Sequence, residues 1–491
     1  MSSTDEYDER KREIGQALRS LNLRPPLPAD VTSRLVDTSH PLDRPARATI
    51  FGPDDTHHFS YVLTKGRVRV MCTGHHGEPL VIQVVGPGRV FGIEWLPTMR
   101  RRLIGAVAET DIEAGLIGQD GMTEAFGKLG HRGRLGVQSF TWRSLSALVV
   151  TRAAVRALPA PDRLRSALRT YGRDVGERTP DGFWLVDRLT VDGMAALSGA
   201  APDTVKKLRQ RLFASGELVH ADGRLLLRIA SPAPRHDVPR HGPYRGVPAT
   251  WARGYLEKML DACNHLGLNG QAKDVIRRYA GLFEVPAGEL LLPPDSEEAV
   301  AFIVRGSAWL EGVGREGESF TLQLLAPGRF VRLPTGPSAH DHRLWGRAHR
   351  DCVVAILTLE QMAEVIAAMT DLGSLTLLAA TCRDLSRHLC DSTTAPTRTL
   401  DCRIVQAFMF LAHDFHGRPV DDGIFVDVPL TEADIGRLTD VGPAAVAKAL
   451  GRLIGRGWLA RVAPQRYVLL KLLPSREQSA SFRCPLCNPE H

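Results

Sequence analysis

Tyr61-Val-Leu-Thr-Lys-Gly66 and Ala301-Phe-Ile-Val-Arg-Gly306 stand 240 residues apart, and their likeness decides how the whole chain is read. Each is a short apolar run closed by a basic residue and a glycine, the pattern of a strand entering a tight turn. Working outward, Gly77-Glu78-Pro-Leu-Val-Ile-Gln83 answers to Gly317-Glu318-Ser-Phe-Thr-Leu-Gln323. Gly86-Pro87-Gly88-Arg89-Val90 answers to Ala326-Pro327-Gly328-Arg329-Phe330, and Arg163-Leu164 to Arg403-Ile404, all at the same offset. Pro180-Asp181-Gly182 then matches Asp421-Asp422-Gly423, and Leu189-Thr190 matches Leu430-Thr431, one residue further out of step. Units this long are not solenoid repeats, so the spacing predicts duplication of a whole domain set.

The join falls near 231–250, where five prolines in SPAPRHDVPRHGPYRGVPAT favour extended chain. At about 3.1 Å per residue it could span on the order of 60 Å. Within each unit the order is the same. Residues 49–117 and 299–358 alternate short apolar runs with glycine turns, which predicts a small barrel or jelly roll. A long helical region follows, over about 121–157 through Phe140, Leu145, Leu148, Val149 and Val155, and over about 359–392 through Leu372, Leu375, Leu378, Leu385 and Leu389. Such helices pack into a core or pair as a seam between the units.

The last part of each unit carries the most specific pattern. Leu189-Thr190-Val-Asp-Gly-Met194-Ala195-Ala-Leu197-Ser-Gly199 reads as a capped helix closed by a glycine able to take positive φ. Pro202 then opens a second helix, with Val205, Leu208 and Leu212 as its inner stripe. Asp203, Thr204, Lys206, Lys207, Arg209 and Arg211 fall outside that stripe, and Glu217–Arg228 reads as a hairpin turned at Asp222-Gly223. This is the pattern of a winged helix-turn-helix, whose second helix meets phosphates and base edges in the major groove. The copy Leu430–Leu450 keeps the frame with a poorer outer face: Ala444, Ala445 and Ala447 replace Asp203, Thr204 and Lys206, leaving Lys448, Arg452 and Arg456. Unequal half-sites are expected, the first copy reading sequence and the second mainly anchoring.

Each unit resembles a complete member of the cyclic-AMP receptor protein/FNR family, on Tyr61–Gly66, Gly86–Gly92 and Leu189–Leu208 in the first and Phe302–Gly306, Pro327–Phe330 and Leu430–Leu450 in the second. The resemblance implies an α+β chain: two repeats of a jelly-roll, cyclic-nucleotide-binding-like β-roll sensor, a long helix and a winged helix-turn-helix. The expected divisions are an N-terminal extension (1–44), first sensor (45–120), first long helix (121–157), first reader (158–230), linker (231–252), second sensor (253–358), second long helix (359–395), second reader (396–472) and tail (473–491). It further implies double-stranded DNA with two half-sites as partner, RNA polymerase as a second, and a monomer that is a dimer fused into one chain.

The family's phosphate cassette, a Gly-Glu followed by Arg-Ser/Thr-Ala, is broken. The first unit offers Glu94, shifted by one, with Arg101 and Arg102 ahead of Leu103 where a small hydroxyl belongs; the second has lost the Gly-Glu. Arg100–Arg102 meet an anion or form an exposed basic turn, and cyclic-AMP control is not expected. The first cysteine is Cys72, so no iron–sulfur cluster ahead of the sensor is expected.

The remaining signals are weaker. Cys484-Pro-Leu-Cys487 is half a zinc site with His491 as a third ligand, or else a mobile tail with two reduced thiols. His57-His58 and His75-His76 read as solvated loop residues. Residues 1–20 read as an exposed helix or a disordered arm. Net charge of +7 suits a polyanionic partner. Eight scattered cysteines do not make a disulfide scaffold, and neither a secretory signal nor an 18-residue apolar run is present, so a cytoplasmic location is expected. No Walker-type loop or catalytic constellation appears, which leaves a ligand-sensing or protein-interaction scaffold as the rival to DNA binding and an enzyme as the weakest reading.

Overall fold

The computed structural model describes residues 3–21, 26–52, 55, 59–74, 77–92, 104–156, 158–185, 189–221, 224–228, 247–292, 299–314, 318–331, 343–473 and 486. Two helices, α1 (Ser3–Ser20) and α2 (Ala29–Thr38), lead into strands β1 (Ser39–Arg44), β2 (Thr49–Phe51), β3 (Phe59–Lys65), β4 (Val68–Thr73), β5 (Pro79–Val85), β6 (Arg89–Phe91), β7 (Gly105–Ala108) and β8 (Ile112–Gly118). They form two four-stranded sheets, β1-β8-β3-β6 and β2-β7-β4-β5. The alternation of burial along β4 puts Val68, Val70 and Cys72 between the sheets. Phe51, Tyr61 and Phe91 stack inside this roll, with Tyr61 5.4 and 5.0 Å from the other two rings.

The expectation of an exposed or disordered lead is corrected here. α1 buries Ile14, Ala17 and Leu18 against the roll. Gly115 of β8 makes this approach close: a Cβ there would stand 2.8 Å from Ile14 Cδ1. The spacing of Ile14, Ala17 and Leu18 was a real apolar stripe, hidden among charges. The roll also begins at Ser39, since β1 pairs with β8 along its whole length.

The helical region that follows is two helices, α3 (Gln119–Lys128) and α4 (His131–Arg156). The chain turns at Leu129, whose backbone is extended. Arg134 caps the end of α3 from within α4, donating to the carbonyls of Leu129 (2.9 Å) and Gly127 (3.1 Å). After α4 come α5 (Ala160–Val175), β9 (Glu177–Thr179), β10 (Gly182–Leu185), α6 (Val191–Ser198), α7 (Pro202–Ala214), β11 (Leu218–Ala221) and β12 (Arg224–Arg228).

The second half repeats this order with changes. It comprises β13 (Val247–Pro248), α8 (Arg253–Ala262), α9 (Gly270–Tyr279), β14 (Gly281–Val285), β15 (Ala299–Arg305), β16 (Ala308–Val313), β17 (Ser319–Leu325), β18 (Phe330–Val331), β19 (Arg343–Ala348) and β20 (Cys352–Thr358). Their sheets are β13-β14-β20-β15-β18 and β17-β16-β19. Pairing of β13 with β14 ties residues assigned to the linker into the second roll; residues 229–246 lie outside the described residues. Then follow α10 (Leu359–Ala368), α11 (Asp371–Thr394), α12 (Leu400–Asp414), β21 (Arg418–Val420), β22 (Gly423–Val426), α13 (Glu432–Thr439), α14 (Pro443–Gly455), β23 (Leu459–Ala463) and β24 (Arg466–Leu469). Leu372, expected in the helix stripe, is 69% exposed at the start of α11.

The two long helices α4 and α11 lie against each other, with buried Leu135, Leu145 and Val149 on one and Leu375, Leu378 and Leu385 on the other. Gln138 Nε2 donates to the Ser374 carbonyl across the seam at 3.3 Å. Trp142 of α4 reaches Phe330 of the second roll, 5.9 Å between ring centroids. One continuous apolar core therefore includes both rolls and both long helices, while each C-terminal segment has a core of its own.

Candidate nucleic-acid interface

Thr190 caps α6, accepting from the Gly193 amide at 3.0 Å. Gly199 ends the helix at φ 64° and lets the chain turn sharply into α7. Val205, Leu208 and Leu212 hold α7 down against Leu164, Leu168 and Met194. With that stripe fixed, helical geometry puts Asp203, Thr204, Lys206, Lys207 and Arg211 outward, and all are exposed. Arg209 is half-buried, its guanidinium 5.4 Å from the centre of the Phe213 ring.

A hairpin flanks α7: β11 pairs antiparallel with β12, Leu218 opposite Leu227, in the sheet β11-β12-β10-β9. The turn at 222–223 lies outside the described residues. Arg165 of α5 fastens the hairpin base through Glu217 at 2.9 Å, and that pairing raises the Arg165 pKa while depressing the Glu217 carboxyl.

The second motif is built alike from different residues. Thr431 and Asp434 form a reciprocal cap at the start of α13. His349 Nε2 stands 3.5 Å from Asp434 Oδ1. Burial alone would raise the Asp434 carboxyl, but the hydrogen bonds from His349 and Thr431 outweigh it and hold its pKa at about 2. Where the first motif turns on Gly199, the second turns on Asp440 at φ 54°, a left-handed conformation aspartate tolerates better than most residues. Val446, Ala449, Leu450 and Leu453 anchor α14, leaving Ala444, Ala445, Ala447, Lys448, Arg452 and Arg456 exposed. Arg452 is turned back onto the protein, its Nε 3.2 Å from Asp401 Oδ2.

Of the other predicted site residues, Glu94, Arg101, Arg102, Cys484, Cys487 and His491 lie outside the described residues, as do His57, His58, His75 and His76. Leu486, between the two tail cysteines, is described and buried in the core of the second motif, its carbonyl 3.4 Å from Thr399 Oγ1. Among the described residues no group of three His, Cys, Asp or Glu side chains is placed to hold a metal, and no helix is long and apolar enough to cross a membrane.

The repeat pairs Arg163 with Arg403, but the sequence does not show what they do, nor that Arg152 and Arg156 are buried. Arg163 Nε donates to the Ser198 carbonyl at 3.2 Å, and Arg403 to the Thr439 carbonyl at 2.6 Å, each covering the C-terminal end of the first motif helix. Arg152 and Arg156, one turn apart near the end of α4, are both buried. A signal was present: Arg152 interrupts the apolar run Val149–Val155, and Arg156 follows it one helical turn on, on the same face.

Residues 43–128 match the cyclic nucleotide-binding domain family. The chain is 28% identical over 167 residues to the global nitrogen regulator of Synechocystis sp., a match covering 33% of this chain and 73% of that protein. It is 27% identical over 167 residues to the global nitrogen regulator of Nostoc sp., covering 33% and 74%. Among solved structures, a c-di-GMP-responsive global regulator of Xanthomonas campestris aligns at 21% identity over 41% of this chain and all of its own, TM-score 0.36. A CRP-family transcriptional regulator from Thermus thermophilus aligns at 19% identity over 38% and 92%, TM-score 0.32. Residues 43–128 are thus similar to a cyclic nucleotide-binding domain, and a third of the chain is similar to global nitrogen regulators.

Proposed function

We propose that this chain is a sequence-specific DNA-binding transcription regulator in which two sensor-plus-reader units form a fused, unequal pseudo-dimer. The observation that carries the reading is the outer face of α7, where Thr204, Lys206, Lys207 and Arg211 are exposed on a helix whose inner stripe is fully used and whose flank is a hairpin. A helix so presented suits the major groove, lysine and arginine meeting phosphates or guanine edges and Asp203 and Thr204 meeting other bases. The second reader, on Lys448 and Arg456 with alanines between, anchors on phosphates. Support for duplication comes from the recurring element order and the 240-residue offset. The rolls then serve as sensor-derived scaffolds.

Lys207→Ala should weaken binding to the operator by about 1–3 kcal/mol and narrow the gap between operator and random duplex. Unchanged affinity and discrimination in a gel-shift titration would remove α7 from the role of reader. The rival reading, a scaffold without specific DNA binding, draws on the exposed alanines of α14. It would be favoured if neither a promoter fragment nor a selected library were retained.

A further inference from the structure

Arg152 and Arg156 lie on one face of α4, and each reaches both a roll and a reader. Arg152 donates to the Ile82 carbonyl on β5 (Nε, 3.0 Å) and the Leu197 carbonyl at the end of α6 (2.9 Å). Arg156, one turn on, donates to the Thr321 carbonyl on β17 (2.6 Å) and to Asp440 in the turn between α13 and α14 (3.1 Å). One helix thus holds the first roll to the first reader with one arginine, and the second roll to the second reader with the next.

The partner helix has no arginine at the matching places; it has a charged tie of its own in Asp384, which meets Arg329 of the second roll while that arginine also donates to Asp414 of α12 (2.6 Å). At the repeat offset, Arg152 answers to Ser392 and Arg156 to Pro396. A Cβ built on Gly199, the counterpart of Asp440, would stand 3.9 Å from Pro396 Cβ. The contacts are also of a kind that fixes position. The Arg156 side chain is 3% exposed and Asp440 12%, so the pair works where water screens little. Arg152 faces carbonyls alone; burial brings its pKa down to about 10, and the negative end of α6 offsets part of the cost. A planar guanidinium with donors on separate edges bridges two elements at a set angle, which a lysine cannot do.

We infer that Arg152 and Arg156 are positioning residues that fix the distance and angle between α7 and α14, so that the protein accepts two half-sites at one separation. This rests on the DNA-binding reading above. Changing the separation by one base pair moves a half-site by about 3.4 Å and rotates it by roughly 36°. Readers stapled to one helix cannot follow such a change; readers held only by their own units can.

The test uses the full chain and a selected operator whose half-sites are moved apart or together by one to five base pairs. The unaltered protein should prefer one separation at least tenfold. Arg156→Met, Asp440→Asn and Arg152→Met should each flatten that preference to about threefold or less, while affinity for a single first half-site stays within threefold. Ser392→Ala on α11 should leave the preference intact. Arg156→Lys keeps the charge and covers the case in which Arg156→Met does not fold; it should show a weakened preference. Were the unaltered chain to bind no duplex, the DNA-binding reading would fail. Were it to show a sharp preference that Asp440→Asn and Arg156→Lys both retained, the inference would be overturned and the DNA-binding reading would stand.

Discussion

On the proposed DNA-binding reading, raising salt should loosen the protein from DNA by an amount that the outer faces of α7 and α14 allow to be worked out. Lys206, Lys207 and Arg211 on α7, and Lys448 and Arg456 on α14, are exposed cations on the proposed contact faces. Neighbouring arginines are engaged by carboxylates: Arg452 by Asp401, Arg224 by Glu177, Arg461 by Glu432 and Arg466 by Asp427. If the five each displace one condensed counterion, log affinity should fall against log salt with a slope of about −4.5. Between about 50 and 200 mM KCl, that is a loss of roughly 500-fold. In Lys448→Ala/Arg456→Ala, three contacts remain, the slope should relax to about −2.7 and the loss to about 40-fold. Fluorescence anisotropy on the operator across five salt concentrations measures both. A slope shallower than about −1, or one unchanged in the double variant, would refute the assignment of α14 as an anchor and the count on which the slope rests.

Two further outcomes follow from the packing and the charges. Ile14→Ala removes a fully buried side chain from the seat of α1 on the roll and should cost about 2–5 kcal/mol, read as a lower urea midpoint; an unchanged midpoint would mean that α1 does not cover the roll. The Asp434 carboxyl titrates lower in the folded chain, at about 2, than the usual 3.8, so its stabilising effect is complete above pH 4 and is lost as pH falls through 2. Allowing for solvent screening, Asp434→Asn should cost about 1 kcal/mol at pH 6 and nearly nothing at pH 2, and an equal cost at both would contradict the His349 and Thr431 contacts as its source.

The α6–α7 frame was legible because it depends on local chemistry. Thr190 caps, Gly199 takes positive φ, Pro202 starts a helix and Val205, Leu208 and Leu212 repeat at helical spacing. Strands β3, β4 and β5 were legible for a similar reason, each followed directly by a glycine at 66, 74 or 86. What could not be read were groups whose partners are distant in sequence. Arg156 meets Asp440 284 residues away, and Arg152 meets Ile82 70 residues back. The break between α3 and α4 was hidden too, since Leu129-Gly130 sits within residues that otherwise suit a helix, and Arg134 supplies the cap from the far side. The mixed α1 sequence concealed its role because only Ile14, Ala17 and Leu18 face the roll. Part of the candidate site, around Glu94 and Arg101, lies outside the described residues.

The seam between α4 and α11 has a consequence for how such a chain can change. A helix that pairs with its own copy meets every substitution twice, and a buried arginine would there confront another buried arginine. Here the two faces belong to different stretches of one gene, so α4 can keep Arg152 and Arg156 while the matching places are Ser392 in α11 and Pro396 just beyond it. Each face is free to specialise against the other, and on the proposed reading Arg152 bears on the first reader while Arg156 bears on the second.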